Sequence, residues 1–242
     1  MKSAEPNLQR VLNALEKHYG QQEAVGPSDP YEMILFVSCG YPATDTSCAK
    51  GYDALKREIG TKPSEILAAP KPKLAKLMRL GGIVPELRAQ RLRDIAALVN
   101  EEFGGDLKWS LEKLLQDDTG GAEKGIRHAK KALKEFPVIG EPGADKILLF
   151  ARLIPLAAVP SACVAVPQRI LFGAENKNYA AGYRAAQEAI AAEVPEKFEA
   201  RQRAYLLLKR HGQEICKRTN PKCEVCPVSS QCFYFQERRL RR

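Results

Sequence analysis

Four cysteines stand close together near the end of a 242-residue chain, in the pattern Cys216-x6-Cys223-x2-Cys226-x5-Cys232. The residues between the first two, Lys217-Arg218-Thr219-Asn220-Pro221-Lys222, are polar. Simple burial would not gather thiols in such a segment, so metal ligation is the chemistry the spacing suggests. A structural zinc site usually shows two close cysteine pairs, each supplying half of a tetrahedron. Here only Cys223 and Cys226 are close. The wider arms suit a cubane, in which each of four irons takes one thiolate. On spacing alone both zinc and a [4Fe–4S] cluster stay open.

A second segment has phosphate chemistry. Pro137-Val138-Ile139-Gly140-Glu141-Pro142-Gly143-Ala144 follows a helix-like stretch over Glu123–Phe136. Such a turn exposes consecutive backbone amides, and glycines allow close approach of a ligand. The next helix adds the positive end of its dipole. Val138, Gly140 and Gly143 are the candidate donors; Pro142 has no N–H. Lys124, Arg127, Lys131 and Lys134 are spaced by three and four, so they share one helix face. A solvated charged face is the plain alternative.

Charge points the same way. The formal net charge is +9. Residues 201–242 hold 11 Lys/Arg against 3 Asp/Glu, while the rest of the chain is nearly balanced. This basic end suggests a polyanion partner, nucleic acid before an acidic membrane surface, with a solubilising tail as the bland reading. No run approaches 18 apolar residues, so no membrane span is expected. Met1–Gly20 has neither a continuous apolar core nor a small-residue cleavage site. The expected compartment is therefore a reducing cytoplasm, nucleoid-associated in a prokaryote.

The elements that must position these residues read as helices. Strand signals are almost absent. Leu8, Val11, Leu12 and Leu15 mark one apolar face. Ser28-Asp29-Pro30 supplies a cap and a first-turn proline, and Thr44-Asp45 can cap a helix that Gly60 ends. Pro85 opens a stretch that stops at Gly104-Gly105. Further helical patterns run through about 122–135, 144–153, 161–172, 178–192 and 195–210. The fold class is all-α, with about ten short helices.

The cysteine pattern resembles the [4Fe–4S] loop of the endonuclease III and MutY DNA glycosylases. The hairpin at 137–144 resembles that family's helix–hairpin–helix. Ser28-Asp29-Pro30-Tyr31-Glu32-Met33-Ile34 and Ala43-Thr44-Asp45 resemble its early barrel helices, in the right order. The resemblance spans roughly residues 5–235. It implies a two-domain helix–hairpin–helix glycosylase fold. Residues 27–152 would form a helical barrel, with the hairpin unit at about 123–153. Residues 1–26 plus 153–242 would form an iron–sulfur cluster domain, with the cluster loop at 216–232. The resemblance also implies a [4Fe–4S] cluster on Cys216, Cys223, Cys226 and Cys232 rather than zinc. It implies phosphate contacts from Lys217, Arg218 and Lys222, and a damaged or abasic DNA duplex as partner of a monomer, with no membrane.

The family flips a base into a cleft, where an Asp and, in bifunctional members, a hairpin Lys act on the sugar. Aligning Phe136–Ala144 on the family pattern puts Pro142 in the lysine slot. Pro160 falls in the aspartate slot. No Asp or Glu lies between Asp145 and Glu175, so no small slip restores the carboxylate. The catalytic residues are thus unassigned, with Asp145 and Lys146 as weak substitutes. The family's Gln before Ala-Thr-Asp is Pro42 here, after Tyr41, which is a candidate to stack on a base. Cys163 is a nucleophile only if its thiolate is stabilised. Cys39 and Cys48 read as core or cleft residues, Asp45 as helix-capping, and Asp117 and Asp118 as solvent-exposed in a long 104–121 connection. His18, His128 and His211 show no ligand spacing. Two functions follow: a base-excision-repair protein with an altered site, or a catalytically inactive iron–sulfur protein that binds DNA structures or lesions, redox-responsive or not.

Overall fold

The structure is a computed structural model that describes residues 7–42, 44–116 and 121–240. Asp117 and Asp118 lie outside the described residues, as do Ala43, Arg241 and Arg242. The fold is all-α: 71% of it is helical, and there is no strand among the described residues. Thirteen α-helices and several 3-10 turns are found there. They form two compact units, one of residues 25–147 and one of residues 1–24 plus 148–242.

The continuous unit is built around α2 (Pro30–Gly40). The Asp29 carboxylate caps α2 by accepting from Glu32 N at 3.0 Å, and Pro30 takes the first turn, where no N–H is needed. Most of its side chains are buried, so it is a central helix rather than an amphipathic one. Helix α3 (Asp45–Glu58) packs on it, with the Thr44 side chain accepting from Ser47 N. Helices α4 (Pro63–Ala68) and α5 (Lys71–Met78) also have prolines in their first turns. Helix α6 (Pro85–Glu102) buries Arg88, Ala89, Leu92, Ile95, Ala96 and Val99 at helical spacing. Helix α7 (Leu107–Gln116) packs on α8 (Ala122–Lys134).

Where a 3-10 turn (Arg79–Gly81) meets α2, the two backbones nearly touch. A Cβ on Gly81 would collide with the Cys39 carbonyl oxygen, which is backbone and cannot swing away. Gly81→Ala is therefore expected to lower unfolding free energy by about 2–3 kcal/mol. Denaturant titration checks this, with the midpoint falling and the slope unchanged.

The discontinuous unit brings the two ends of the chain together. Helix α1 (Leu8–Tyr19) buries Leu8, Val11, Leu12 and Leu15. It packs on α11 (Tyr179–Glu193) and α12 (Phe198–Glu214). Leu8 N donates to Glu193 Oε2 at 2.7 Å, and Arg203 forks onto the Glu16 carboxylate, both contacts 2.9 Å. Helix α10 (Ala165–Phe172) lies in the same core and carries α13 (Phe233–Leu240) against it.

The observed elements differ from the sequence reading in three places. Helix α9 (Glu141–Phe150) starts three residues before the expected 144. Pro142 fits its first turn because an N–H there has no helical acceptor. The 104–121 connection contains α7, whose buried residues are only Leu107 and Leu111. Helices α4 and α5 bury one and two residues respectively. An apolar face this sparse leaves too weak a period to read.

Candidate nucleic-acid interface and metal centre

The hairpin between α8 and α9 is held by short turns and by charge. Ile139 N donates to Phe136 O at 3.2 Å, and Ala144 N to Gly140 O at 2.9 Å. Val138 adopts φ +62°, a left-handed conformation that a β-branched residue rarely takes. It turns the chain so that the Val138, Gly140 and Gly143 amides stay out of the backbone ladder; none donates to an acceptor among the described residues. Gly140 is exposed, and Val138 and Gly143 are half-buried. The expected donors are thus in a conformation that can receive an anion.

Beneath them lies an ion-pair network. Asp145 is fully buried, and Lys130 Nζ reaches its Oδ1 at 2.8 Å. Lys130 also meets Glu141, and Lys134 Nζ pairs with Glu141 Oε2 at 2.8 Å. Asp145 and Lys130 thus cross-brace α9 to α8. Burial opposes the charge on Lys130, but its bonds to Asp145 and Glu141 outweigh this and raise its pKa. Burial likewise works against ionised Glu141, yet Lys130 and Lys134 hold its pKa below the usual value. Lys131 is exposed, and Lys134 is exposed but shared with Glu141. Lys146 is half-buried on α9.

The lowered Glu141 carboxyl fixes the sign of one pH dependence. Its stabilisation is present above the ordinary glutamate pKa, about 4.3, and is lost as pH falls through the lower folded value. Glu141→Gln is therefore expected to flatten part of the stability loss below about pH 4.3. Denaturant midpoints measured from pH 5 to pH 3, in wild type and variant, provide the comparison.

The resemblance sets Pro142 and Pro160 against the family's two catalytic slots. Pro142 is half-buried in the first turn of α9. Pro160 is buried before the 3-10 turn Ser161–Cys163, and its carbonyl accepts from Cys163 N at 2.9 Å. Cys163 itself is buried, and burial pushes its thiol up to about 11, so it is not ionised at neutral pH.

Tyr41 ends α2 and is 47% exposed. It shares an edge with a loop that sequence reasoning overlooked. Arg88, 1% exposed, donates from Nη2 to Gly40 O at 3.1 Å and to Tyr41 O at 3.4 Å, and from Nη1 to Ile83 O. One buried guanidinium therefore ties the Tyr41 turn to Ile83, which is 77% exposed. The available signal was a lone arginine on the apolar face of α6.

In the other unit the four C-terminal cysteines line one small cavity, together with Arg169 and His211. Arg169, 3% exposed, organises the loop around them. Its guanidinium donates to Lys217 O at 2.8 Å and Arg218 O at 2.9 Å, and approaches Cys216 Sγ at 3.7 Å. Glu175 balances its charge at 2.5 Å. With those carbonyls held inward, the side chains of Lys217, Arg218 and Lys222 are exposed. Sequence reasoning missed Arg169, although a cation inside the apolar run Val166–Leu171 was a legible anomaly.

His211 is the other missed residue. Its Nε2 lies 3.6 Å from Cys226 Sγ and its Nδ1 3.0 Å from Tyr19 Oη. Burial lowers its pKa to about 4, with His18 adding to the effect. Burial raises the Cys226 thiol to about 12 and Cys232 to about 11. Burial also raises Cys216, against the pull of Arg169. Ligation of a metal core would require release of those protons. Among the described residues, no three His, Cys, Asp or Glu side chains converge as ligands of a single metal ion.

No family model matches the chain. Endonuclease III of Thermotoga maritima is 22% identical over 211 residues, covering 87% of this chain and 86% of that protein. A thymine/uracil-DNA glycosylase of Methanothermobacter thermautotrophicus is 26% identical, covering 86% and 84%. A solved endonuclease III–DNA complex matches over 97% of both chains, with a TM-score of 0.70 and 17% identity. A thermostable thymine-DNA glycosylase gives a TM-score of 0.72 and 22% identity, covering 95% of this chain and 97% of that one. The class is a helix–hairpin–helix DNA glycosylase fold. In sequence the chain is similar to these DNA glycosylases, and in fold it matches them.

Proposed function

We propose that the protein is an endonuclease III-like base-excision-repair protein that binds damaged or abasic duplex DNA as a monomer. Two observations carry this, one in each unit: hairpin amides at Val138, Gly140 and Gly143 that donate to no acceptor among the described residues, and a fixed basic loop at Lys217, Arg218 and Lys222. Both bind phosphate without reading sequence. Two relatives are named as an endonuclease III and a thymine/uracil-DNA glycosylase, and one structural neighbour is a DNA complex, which supports the same partner. Tyr41 and the exposed Ile83 offer an aromatic and an apolar group where a flipped nucleotide leaves a gap.

Lysine-dependent strand cleavage is not part of this proposal. Pro142 has no amine to attack a sugar, and Pro160 has no carboxylate. Asp145, the nearest substitute, is fully buried against Lys130. That pairing also favours a second reading, in which the protein marks lesions without removing a base.

We assign the cofactor as a [4Fe–4S] cluster on Cys216, Cys223, Cys226 and Cys232. The donor set fits: four thiols line one cavity, with Arg169 placed to offset thiolate charge at Cys216. A cubane takes one thiolate per iron, so its ligands surround a body rather than converge on a point. When bound, the cluster supplies a covalent anchor for the loop. Arg169 sets the loop carbonyls, and the three basic side chains face outward.

Duplexes carrying single oxidised, deaminated, alkylated or abasic sites test the function. Tighter binding to lesion duplexes than to intact DNA is expected, and equal affinity for both would refute lesion recognition. Release of a base selects the enzyme reading, and lesion binding alone selects the marker reading. Borohydride trapping of a covalent complex would overturn the claim that no Schiff-base lysine operates. Iron and acid-labile sulfide in anaerobically purified protein test the cofactor, and stoichiometric zinc would replace it.

A further inference from the structure

The geometry points to a hydrogen-bond relay, Tyr19 to His211 to Cys226, that sets the reduction potential of the cluster. The inference rests on the [4Fe–4S] assignment above. His211 is 1% exposed within α12, and its two ring nitrogens face two different polar partners. Nδ1 is 3.0 Å from Tyr19 Oη, and Nε2 is 3.6 Å from Cys226 Sγ. The three groups come from α1, α12 and the cysteine loop, and Tyr19 and His211 are 192 residues apart in sequence.

Ligation fixes the direction of the relay. A cysteine bound to iron is a thiolate and can only accept, so Nε2 must carry the ring proton. Nδ1 is then the acceptor, and the Tyr19 hydroxyl donates to it. Both donors point toward the sulfur, and polarisation along the chain strengthens the terminal N–H···S bond. A hydrogen bond to a cluster sulfur stabilises the more negative, reduced state and so raises the potential. Arg169 acts in the same sense at Cys216, but it also holds two loop carbonyls. Its removal would move the loop as well as the potential. Among the described residues, the side chains of Tyr19 and His211 hold no loop carbonyl, so they isolate the electrostatic effect.

The test uses the full chain, purified anaerobically, with iron and acid-labile sulfide measured before a spectroelectrochemical titration. Tyr19→Phe keeps the ring and removes only the donor; its midpoint is expected to move to a more negative potential. His211→Leu should move further in the same direction, and His211→Gln, which restores an N–H, should lie between His211→Leu and wild type. Iron-loaded Tyr19→Phe and His211→Leu proteins at the wild-type potential would overturn the relay and leave the cofactor assignment standing. Should His211→Leu fail to load iron, an unshifted Tyr19→Phe midpoint overturns the relay by itself. Wild-type protein without iron overturns the assignment and the relay together.

Discussion

Asp145→Ala is expected to destabilise the protein by about 3 kcal/mol, among the largest effects of any single change in it. The carboxylate is fully buried, and its removal leaves the Lys130 ammonium, only 16% exposed, with a single partially exposed partner, Glu141. Most of the cost is that uncompensated charge rather than the worth of the pair. The double change Lys130→Met, Asp145→Leu should therefore recover much of the loss. Denaturant unfolding of the three variants gives the comparison. A double variant as unstable as Asp145→Ala would show that the charge argument is wrong. The same pair braces α9 against α8, so Asp145→Ala should also weaken phosphate binding by the hairpin amides.

Cys226→Ser is expected to abolish most iron loading and to weaken DNA binding at least tenfold, about 1.4 kcal/mol. Under the proposed assignment one iron loses its thiolate, and the loop carrying Lys217, Arg218 and Lys222 loses its anchor. Cys48→Ser, a buried cysteine in the other unit, serves as the control and should retain both properties. Limited proteolysis should cut the Cys226→Ser protein within 216–232, a loop that stays protected in the control. Intact iron content and unchanged DNA affinity in Cys226→Ser would remove the cluster from the DNA-binding argument.

Much of this architecture was legible in local chemistry. Asp29-Pro30, Thr44 and the Leu8–Leu15 spacing located helix starts and a buried face, because caps and periodicity act over a few residues. The cysteine spacing singled out four thiols, and the fold brings all four around one cavity. What stayed hidden depends on distant neighbours. Lys130 looked like one more basic residue of α8, and only the folded pairing with Asp145 separates it from Lys131. Asp145 itself read as a weak catalytic substitute, whereas its environment is an ion pair. Arg169 and His211 reach Cys216 and Cys226 from helices well before the loop, and no local pattern encodes that approach. Short helices with few buried residues, α4 and α5, were likewise silent.

The packing of α1 bears on the order in which the molecule is made. Its apolar face is covered by residues from 157 onward, and its polar contacts reach Glu193, Arg203 and His211. A ribosome emits α1 well before the surface that receives it. Residues 25–147 can collapse on their own contacts in the meantime, while an amphipathic helix waits with Leu8, Val11, Leu12 and Leu15 uncovered. Such a segment is a natural client for a holdase until that surface emerges. Docking of α1 brings Tyr19 to His211, so the same step completes the surroundings of the cysteine loop.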